Sequence, residues 1–490
     1  MPESPRPVAV IVLAAGSGTR MKSKTSKMLH PIGGRSMIGH VLAAATSVHP
    51  LRLVTVVGHG RDQVGPHVLG LVPDALLAVQ ETQQGTGHAV QVGLDALRAS
   101  GGTAHGTVVV LAGDTPLLEG TTIARLVVDH VEAGSAVTVL TGRVADPSGY
   151  GRVVRDEAGA VAAIVEEKDA TEDERGIREI SSGVFAFDGE FLGDALTRIG
   201  NANAKGEYYL TDVVGVARED GRPVGGHVLD DVRQTEGAND RAQLTGLAAE
   251  LNRRTLQRWM REGVTIVDPT TTWIDVDVSL EPDVTILPGV QLLGATSVRE
   301  DAVIGPDCTL KDLEVGRGAK VVRSHGELAV VGAGASVGPF SYLRPGTVLG
   351  AGGKIGAFVE TKNAQIGDGA KVPHLSYVGD AEIGEGTNIG AGTIFANYDG
   401  AEKHRTKVGR FATTASNNTF VAPVEIGDGA ATGAGTVVRR DVPPGALAVS
   451  SGPQRTIENW AARRRPGTAQ AEAAEQARFA AKTSAEGESE

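Results

Sequence analysis

The sequence predicts an α/β protein in three parts: a doubly wound α/β domain, a connecting helix and a parallel β-helix. Three observations predict it. Up to about residue 235, apolar runs such as "VAVIVLA" alternate with helix-like segments. A charged amphipathic stretch follows. Beyond it, an aliphatic residue followed by glycine recurs at six-residue spacing almost to the end.

The first part carries "VAVIVLA", "LRLVTVVG", "GTVVVLAGD" and "AVTVLTGR", which read as buried strands. Uniform Val/Ile/Leu content, in place of alternation, is what a parallel sheet covered on both faces asks for. "MIGHVLAAAT" and "GHAVQVGLDALRAS" read as the helices between. The stretch "ANDRAQLTGLAAELNRRTLQRWMREG", 238–263, repeats Leu244, Leu247, Leu251 and Leu256 at near-helical spacing and stops at Gly263. It reads as a rigid connector.

From 264 the pairs become "IGPDCT", "VGAGAS", "IGDGAK", "IGEGTN" and "IGAGTI". Val337 to Ile355 and Val408 to Ile426 are each 18 residues apart, three hexads to a coil. The aliphatic fills the interior and the glycine beside it forms a corner, while successive coils pair as parallel strands ~4.8 Å apart. Such hexapeptide coils are left-handed, an exception to the crossover rule. A narrow prism also explains an aromatic content of 4% beside 66 glycines. The expected domains are 1–237, 238–263, 264–460 and a disordered or weakly helical tail, 461–490.

Composition excludes several function classes. A net charge of −12 argues against a nucleic-acid binder. No apolar run reaches the ~18–20 residues that cross a bilayer, and the N-terminus does not read as a signal peptide. The single cysteine, Cys308, suits a reducing compartment. A soluble cytoplasmic protein is expected.

Two clusters carry chemistry. The loop after the first strand, "AAGSGTRM", lacks the third glycine of a dinucleotide fingerprint and the Gly-Lys-Ser/Thr of a Walker loop. A strand, a glycine turn and a helix N-terminus still point at an anion, with Arg20 and Lys27 adding positive charge. Asp114 ends a strand at the ligand-binding edge of such a sheet, where a carboxylate can hold Mg²⁺ beside phosphate oxygens. Gly85 and Thr86 form a second tight turn near that edge. In the β-helix, Arg344 and Lys362 lie 18 residues apart and should stack on one face, a pairing that suits a phosphate. His374, Tyr377 and Asn388 follow within about a coil. "FANYDGAEKHRTKVG" is too polar and long for a coil and reads as an extruded loop.

Together "LAAGSGTRM…K", "GTGHA", "AGD", "GYGR", "VEEKDA", "GEYYLTD" and "EGAND", with the second cluster, resemble the bacterial bifunctional N-acetylglucosamine-1-phosphate uridylyltransferase / glucosamine-1-phosphate N-acetyltransferase family. The match runs from about 8 to 460. The resemblance implies a Rossmann-like nucleotidyltransferase domain using UTP and Mg²⁺, and an acetyl-CoA-dependent acetyltransferase on the β-helix. It implies small-molecule substrates (glucosamine 1-phosphate, N-acetylglucosamine 1-phosphate, UTP, acetyl-CoA) and a homotrimer. Leu13, Ala14, Ala15 and Gly16 would cradle uracil and ribose, and Gln80, Gly85 and Thr86 would read the base. Lys27 would contact phosphate and, with Arg20, serve catalysis. Asp114 and Asn239 would hold the metal. Gly151, Glu166 and Ser181 would meet the sugar; the family usually has asparagine where Ser181 stands.

In the second half, the resemblance makes His374 the general base, oriented by Glu360, with Arg344, Lys362, Tyr377 and Asn388 on the sugar phosphate. Ala391, Asn397, Tyr398, Ser416, Ala434 and Ser451 would line the acetyl-CoA groove. Some relatives have arginine where Ser451 stands, so Arg439 or Arg440 is the candidate for the coenzyme's phosphate. Two other readings exist: a single-site sugar-1-phosphate nucleotidyltransferase with a structural β-helix, and a non-catalytic scaffold. The second cluster speaks against the first, and retention of Lys27, Asp114 and Asn239 against the second.

Overall fold

The structure, a computed structural model, describes residues 5–487 apart from Ser451, Pro453 and Arg455. It divides into two compact units, 1–363 and 364–490.

The first unit begins with a mixed sheet of β1 (Ala9–Ala14), β2 (Arg52–Val57), β3 (Leu76–Val79), β4 (Thr107–Ala112), β5 (Val137–Arg143), β6 (Arg152–Arg155), β7 (Val161–Val165), β8 (Glu179–Asp188) and β9 (Val224–Leu229). The order is β9-β5-β8-β4-β1-β2-β3, with β6 and β7 paired to each other beside β8. The apolar runs split by the two-residue period of a strand. Ala9 and Ile11 enter one core, whereas Val10, Val12 and Ala14 enter the other. Both faces are thus covered, as the uniform Val/Ile content predicts. The main path of the sheet is parallel except for β8, which runs antiparallel to β4 and β5, and the β6–β7 pair beside it is antiparallel too. No covering helix joins β5 to β8; the chain between them makes the β6–β7 pair and returns, and such a return reverses strand direction.

A second departure concerns the first loop. No α-helix follows β1. The chain makes two three-residue 3₁₀ turns, Thr19–Met21 and Lys27–Leu29, and the first α-helix starts at Met37. Gly18 and Lys22 bracket the first turn at φ 58° and 47°, left-handed values that stop a helix from propagating. The expected helix N-terminus is therefore absent from that loop.

The connecting helix runs Arg241–Arg261, capped by Asp240, whose side chain accepts from Gln243 N. Leu247 and Leu256 are buried; Leu244 and Leu251 are half-buried. Leu244 and Leu251 pack with Leu247 against Ile32, Met37 and Leu117 of the α/β domain. Gly263 ends the helix at φ 95°, donating to Met260 O while Val264 N donates to Trp259 O. Buried Glu250 gathers Arg233, Arg253 and Arg254 at 2.8, 2.6 and 2.8 Å. Its carboxyl is held down to about 2, first by the Arg253 hydrogen bond. Because the folded value lies below the unfolded one, this stabilisation is present above the ordinary glutamate range and is lost as pH falls towards 2. Glu250→Gln should lower stability by about 2 kcal/mol at neutral pH, the scale of a lost charge-assisted bond. Half-exposed Arg233 and Arg253 can turn to water, which limits the loss. Urea unfolding at pH 7 and pH 3 measures both the loss and its narrowing in acid.

From Thr265 the first unit continues as parallel coils. Thr285–Ile286 pairs with Val303–Ile304, and Gln291–Leu293 with Thr309–Lys311, each at an 18-residue offset. Their interior residues, Ile286, Leu292, Ile304 and Leu310, are at most 1% exposed. The hexad rule bends in the middle: Glu314 pairs with Val330 and Lys320 with Ser336, offsets of 16. The rule returns at Ser336–Lys354.

The second unit holds further coils of the same kind. Ile394 pairs with Thr419, an offset of 25, and Thr419 with Val437, an offset of 18. The surplus is the loop foreseen in "NYDGAEKH". It is a small hairpin with a Tyr398–Lys403 bridge and an Asp399–His404 contact of 2.7 Å. The tail expected to be disordered or weakly helical contains the helices Trp460–Arg464 and Ala469–Gly487. Alanine with spaced Glu and Arg has high helix propensity. Among the described residues no helix is long and apolar enough to cross a membrane.

Candidate active sites

The ends of β1 and β4 open into a cleft of about 590 Å³. Leu13, Ala15, Gly16, Arg20, Lys27, Gln80, Gly85, Thr86, Asp114, Gly151, Glu166, Ser181 and Asn239 all line it. Of the residues assigned to this site by sequence, Ala14 alone does not; at 1% exposure its side chain belongs to the core.

At the cleft's centre, buried Lys27 reaches Asp114 Oδ2 at 2.5 Å and Asn239 Oδ1 at 3.0 Å. Asp114 stands just past β4, and Asn239 just before the connecting helix, its N–H donating to Gln243 Oε1 at 2.7 Å. A carboxylate and an amide oxygen thus converge on one cationic point. That donor set fits Mg²⁺, which takes one or two protein oxygens and completes its shell with water and phosphate. Among the described residues no three His, Cys, Asp or Glu side chains cluster as a metal cage, so substrate oxygens would have to supply the remaining ligands.

The glycines here are required by close approach. A Cβ on Gly18 would lie 2.6 Å from Lys27 Cβ. Gly85 has φ 108°, and a Cβ there would lie 2.5 Å from Tyr208 O. That backbone is locked by Tyr208 N to Gln84 O and Gly87 N to Tyr208 O, both 2.8 Å. Thr86 Oγ1 accepts from Leu210 N at 3.0 Å, so "GTGHA" and "GEYYLTD" are stitched into one wall. Gly85→Ala should cost about 1–3 kcal/mol of stability and displace Gln80, whose amide donates to Gly85 O. Thermal unfolding together with the KM for nucleotide checks it.

On the opposite wall, β8 bulges between Ser181 and Phe185, presenting Ser181 and Ser182 to the cleft. Ser181 N donates to Gly151 O at 2.9 Å. Glu166 accepts from Thr211 Oγ1 at 3.3 Å, and burial pushes its carboxyl above the ordinary range. Tyr150, Gln83, Glu207 and Thr211 also line the cleft, and sequence reasoning assigned them no role. Tyr150 and Gln83 lie within two residues of ones that were assigned, and Glu207 and Thr211 lie in the quoted motif "GEYYLTD", none of whose residues was given a role; the missing information was which of them faces inward. Burial, then Glu236 and Asp114, raise the Tyr150 phenol. Gln83 Nε2 donates to Ala15 O and closes the loop from the side.

Residues of the second cluster fall in both units, and each group is described within its own. In the first unit, Leu343 pairs with Thr361, which sets Arg344 beside Lys362 on neighbouring coils, as the 18-residue spacing predicts. Arg344 Nη1 donates to Glu360 Oε1 at 2.8 Å. In the second unit, His374, Ala391, Ser416 and Ala434 occupy one corner position on successive coils. Gly392 N donates to His374 O, Asn417 N to Ala391 O and Gly435 N to Ser416 O, at 3.1, 2.7 and 2.9 Å. The imidazole therefore stands at one end of a column of small side chains. His374 is exposed. Among the described residues the N–H groups of Ala391, Ser416 and Ala434 donate to no protein acceptor.

Beside this column, Asn397 Nδ2 donates to Asp380 Oδ2 at 2.5 Å and lies 3.5 Å from the Tyr377 hydroxyl. Asp380 was not anticipated; it is buried and left-handed at φ 49°. Asn388 bridges Lys371 and Thr413 on the coils either side. Tyr398 is exposed on the hairpin, its hydroxyl donating to Gly400 O. Arg439 and Arg440 are exposed. Ser451 lies outside the described residues.

Comparison with known proteins agrees with this anatomy. Residues 10–181 match the model of the MobA-like NTP transferase domain. The bifunctional protein GlmU of Rhodococcus jostii (strain RHA1) is 61% identical over 477 residues, 96% of this chain and 95% of that one. The bifunctional protein GlmU of Paenarthrobacter aurescens (strain TC1) is 58% identical over 485 residues, 99% and 97%. That of Streptomyces avermitilis is 57% identical over 471 residues, 96% and 97%. Identity of this level from end to end, over a nucleotidyltransferase cleft and a coil bearing an exposed histidine column, shows that the chain belongs to the family of bifunctional GlmU proteins, the two-activity enzymes its motifs resemble.

Proposed function

We propose that the chain acetylates glucosamine 1-phosphate with acetyl-CoA at the β-helix and then transfers UMP from UTP to the N-acetylglucosamine 1-phosphate so formed, releasing pyrophosphate and yielding UDP-N-acetylglucosamine. The observation that carries the reading is the pair of sites in one chain: the Lys27–Asp114–Asn239 triad in the nucleotide cleft and the His374 column on the coils. The domain division that goes with it is 1–237, 238–263 and 264–460, ahead of the tail.

For acetyl transfer, His374 accepts a proton from the sugar amine as its nitrogen attacks the thioester carbonyl carbon. The carbon–sulfur bond breaks and the thiolate leaves, to be protonated. A histidine is the usual side chain for this duty. The unpaired N–H of Ala391 supports an oxyanion role one coil away. Ala391, Ser416 and Ala434, with their small side chains, take the coenzyme arm together with Asn397 and Tyr398, and Ser451, or Arg439 and Arg440, would meet its phosphate. Arg344 and Lys362, paired on one face, take the sugar phosphate with Tyr377 and Asn388. Glu360 accepts from Arg344 and in this proposal also orients the imidazole.

For uridylyl transfer, a phosphate oxygen of the sugar attacks the α-phosphorus of UTP in line, and the bond to the β-phosphate breaks. No nucleophile–base pair is needed; catalysis is positioning and charge neutralisation. Asp114 and Asn239 would hold Mg²⁺, which would neutralise phosphate charge. Lys27 and Arg20 carry the fixed positive charge. Leu13 to Gly16, Gln80, Gly85 and Thr86 take uracil and ribose; Gly151, Glu166 and Ser181 take the sugar. With serine at 181, a water can bridge the distance an asparagine amide would span.

A cytoplasmic homotrimer belongs to the same proposal. Phe340 and Phe358, 54% and 59% exposed and stacked at 5.3 Å, give the first unit an apolar edge that a second copy would cover. Purified protein mixed with acetyl-CoA and glucosamine 1-phosphate, without UTP, should release free thiol. With UTP and N-acetylglucosamine 1-phosphate it should release pyrophosphate. Pyrophosphate without thiol release would leave a single-site nucleotidyltransferase with a structural coil.

A further inference from the structure

The two oxygen donors of the first cleft are held in different ways. Asp114 is fixed by the sheet, just past the end of β4. Asn239 belongs to no strand or helix; it lies between the 3₁₀ turn Val232–Thr235 and Asp240, the N-cap of the connecting helix. Its amide nevertheless has a defined orientation. The Lys27 ammonium that it meets at 3.0 Å can only donate, so the amide turns its oxygen to the site. A divalent cation asks for that same oxygen.

Three contacts hold the segment that carries Asn239. Ala238 is fully buried in a cluster with Ile32, Met37, Leu117 and Leu247. Gly237 lies against Asp114, where a Cβ would come 3.2 Å from both Asp114 O and Oδ2. The third contact touches Asn239 itself: its backbone N–H donates to Gln243 Oε1 at 2.7 Å. Among the described residues, this bond and the one from Lys27 are the hydrogen bonds that Asn239 makes.

Helix capping does not account for the Gln243 bond. Asp240 caps the helix by accepting from Gln243 N at 2.9 Å. In the reciprocal arrangement, the side chain of the third helical residue returns to the N–H of the cap residue. Gln243 is that third residue, yet its side chain passes the cap and takes the N–H of Asn239, one residue outside. The side chain is exposed, so the core does not depend on it. What the bond fixes is the backbone from which the Asn239 amide projects. Only two side-chain torsions separate that backbone from the amide oxygen.

We infer that Gln243 is a positioning residue of uridylyl transfer: by holding the Asn239 N–H, it aims the amide oxygen at the divalent-cation position beside Asp114. The inference rests on the reading of the first cleft as a metal-dependent nucleotidyltransferase. Partners that orient a metal ligand typically set about 10–100-fold in metal affinity or activity.

Two full-length variants test it. Gln243→Leu removes the acceptor at similar size. Gln243→Glu keeps an oxygen within reach of the N–H, since glutamate and glutamine serve alike at this helix position. In Gln243→Leu, the Mg²⁺ concentration that gives half-maximal uridylyl transfer should rise about 10–100-fold, with the rate at saturating Mg²⁺ close to that of the parent. Gln243→Glu should restore the parent value. Binding is read without turnover by titrating Mn²⁺, which takes the same oxygen ligands, into protein holding UDP-N-acetylglucosamine and following the free-ion EPR signal. Mn²⁺ affinity should fall in Gln243→Leu and recover in Gln243→Glu. Acetyl transfer and the melting temperature should stay at parent values in both. Unchanged Mg²⁺ dependence and Mn²⁺ affinity in Gln243→Leu overturn the inference. A lowered melting temperature with unchanged metal dependence overturns it too, by leaving Gln243 a helix-end residue alone. A parent protein that releases no pyrophosphate from UTP at any Mg²⁺ concentration would instead remove the functional reading underneath, an outcome separable from the other two.

Discussion

His374→Ala is expected to lower acetyl transfer by ~10²–10⁴-fold, the range that a general base contributes, while uridylyl transfer from UTP to N-acetylglucosamine 1-phosphate continues at the parent rate. The side chain is exposed at a coil corner, and its carbonyl, not its ring, bonds the next coil through Gly392 N. The substitution therefore removes chemistry and leaves the stack intact, and the melting temperature should not move. Thiol release measured with and without glucosamine 1-phosphate is the readout. A variant that keeps more than about a tenth of the parent rate would remove His374 from the proton-accepting role. The column would then be a coenzyme groove alone.

Lys27→Met should have the complementary effect. The lysine is buried, and its ammonium contacts both Asp114 and Asn239. Methionine keeps the apolar stem and removes the charge. Loss of one preorganised electrostatic contact in a sheltered site costs ~10²–10³ in rate, so pyrophosphate release should fall by that factor with thiol release unchanged. The fold should survive, because the Asp114 side chain is still partly open to water. If uridylyl transfer fell less than about tenfold, Arg20 would carry the phosphate charge unaided, and Lys27 would serve only to hold Asp114 and Asn239 together.

Much of this was legible in the sequence because local rules and global architecture agree. The run "VAVIVLA" became a central strand with its odd and even residues feeding separate cores, as a sheet covered on both faces requires. The 18-residue spacing of Arg344 and Lys362 became adjacency because a parallel coil repeats its register. The residues not legible share one physical feature: their position depends on a register or a turn that sequence alone does not determine. Tyr150 lies beside the chosen Gly151, and Thr211 in a motif that was quoted without a residue being chosen from it, but only the folded backbone tells which side chain lines the cleft. Asp380 meets Asn397 because the coil turns left-handed there. The offsets of 16 near Lys320 come from shortened corners, which a hexad count passes over.

The sequence by itself determined the two architectures, the connector between them and about half of the residues that line the first cleft. Periodicity, glycine placement and motif order are properties of the chain taken in order. Tertiary structure decided the rest: that β8 inserts antiparallel, that turns and no helix follow the first strand, and that Lys27 bridges residues 87 and 212 positions away. The reason is physical. A charge acts through distance in space, and distance in space between residues far apart in the chain exists only after the core has packed.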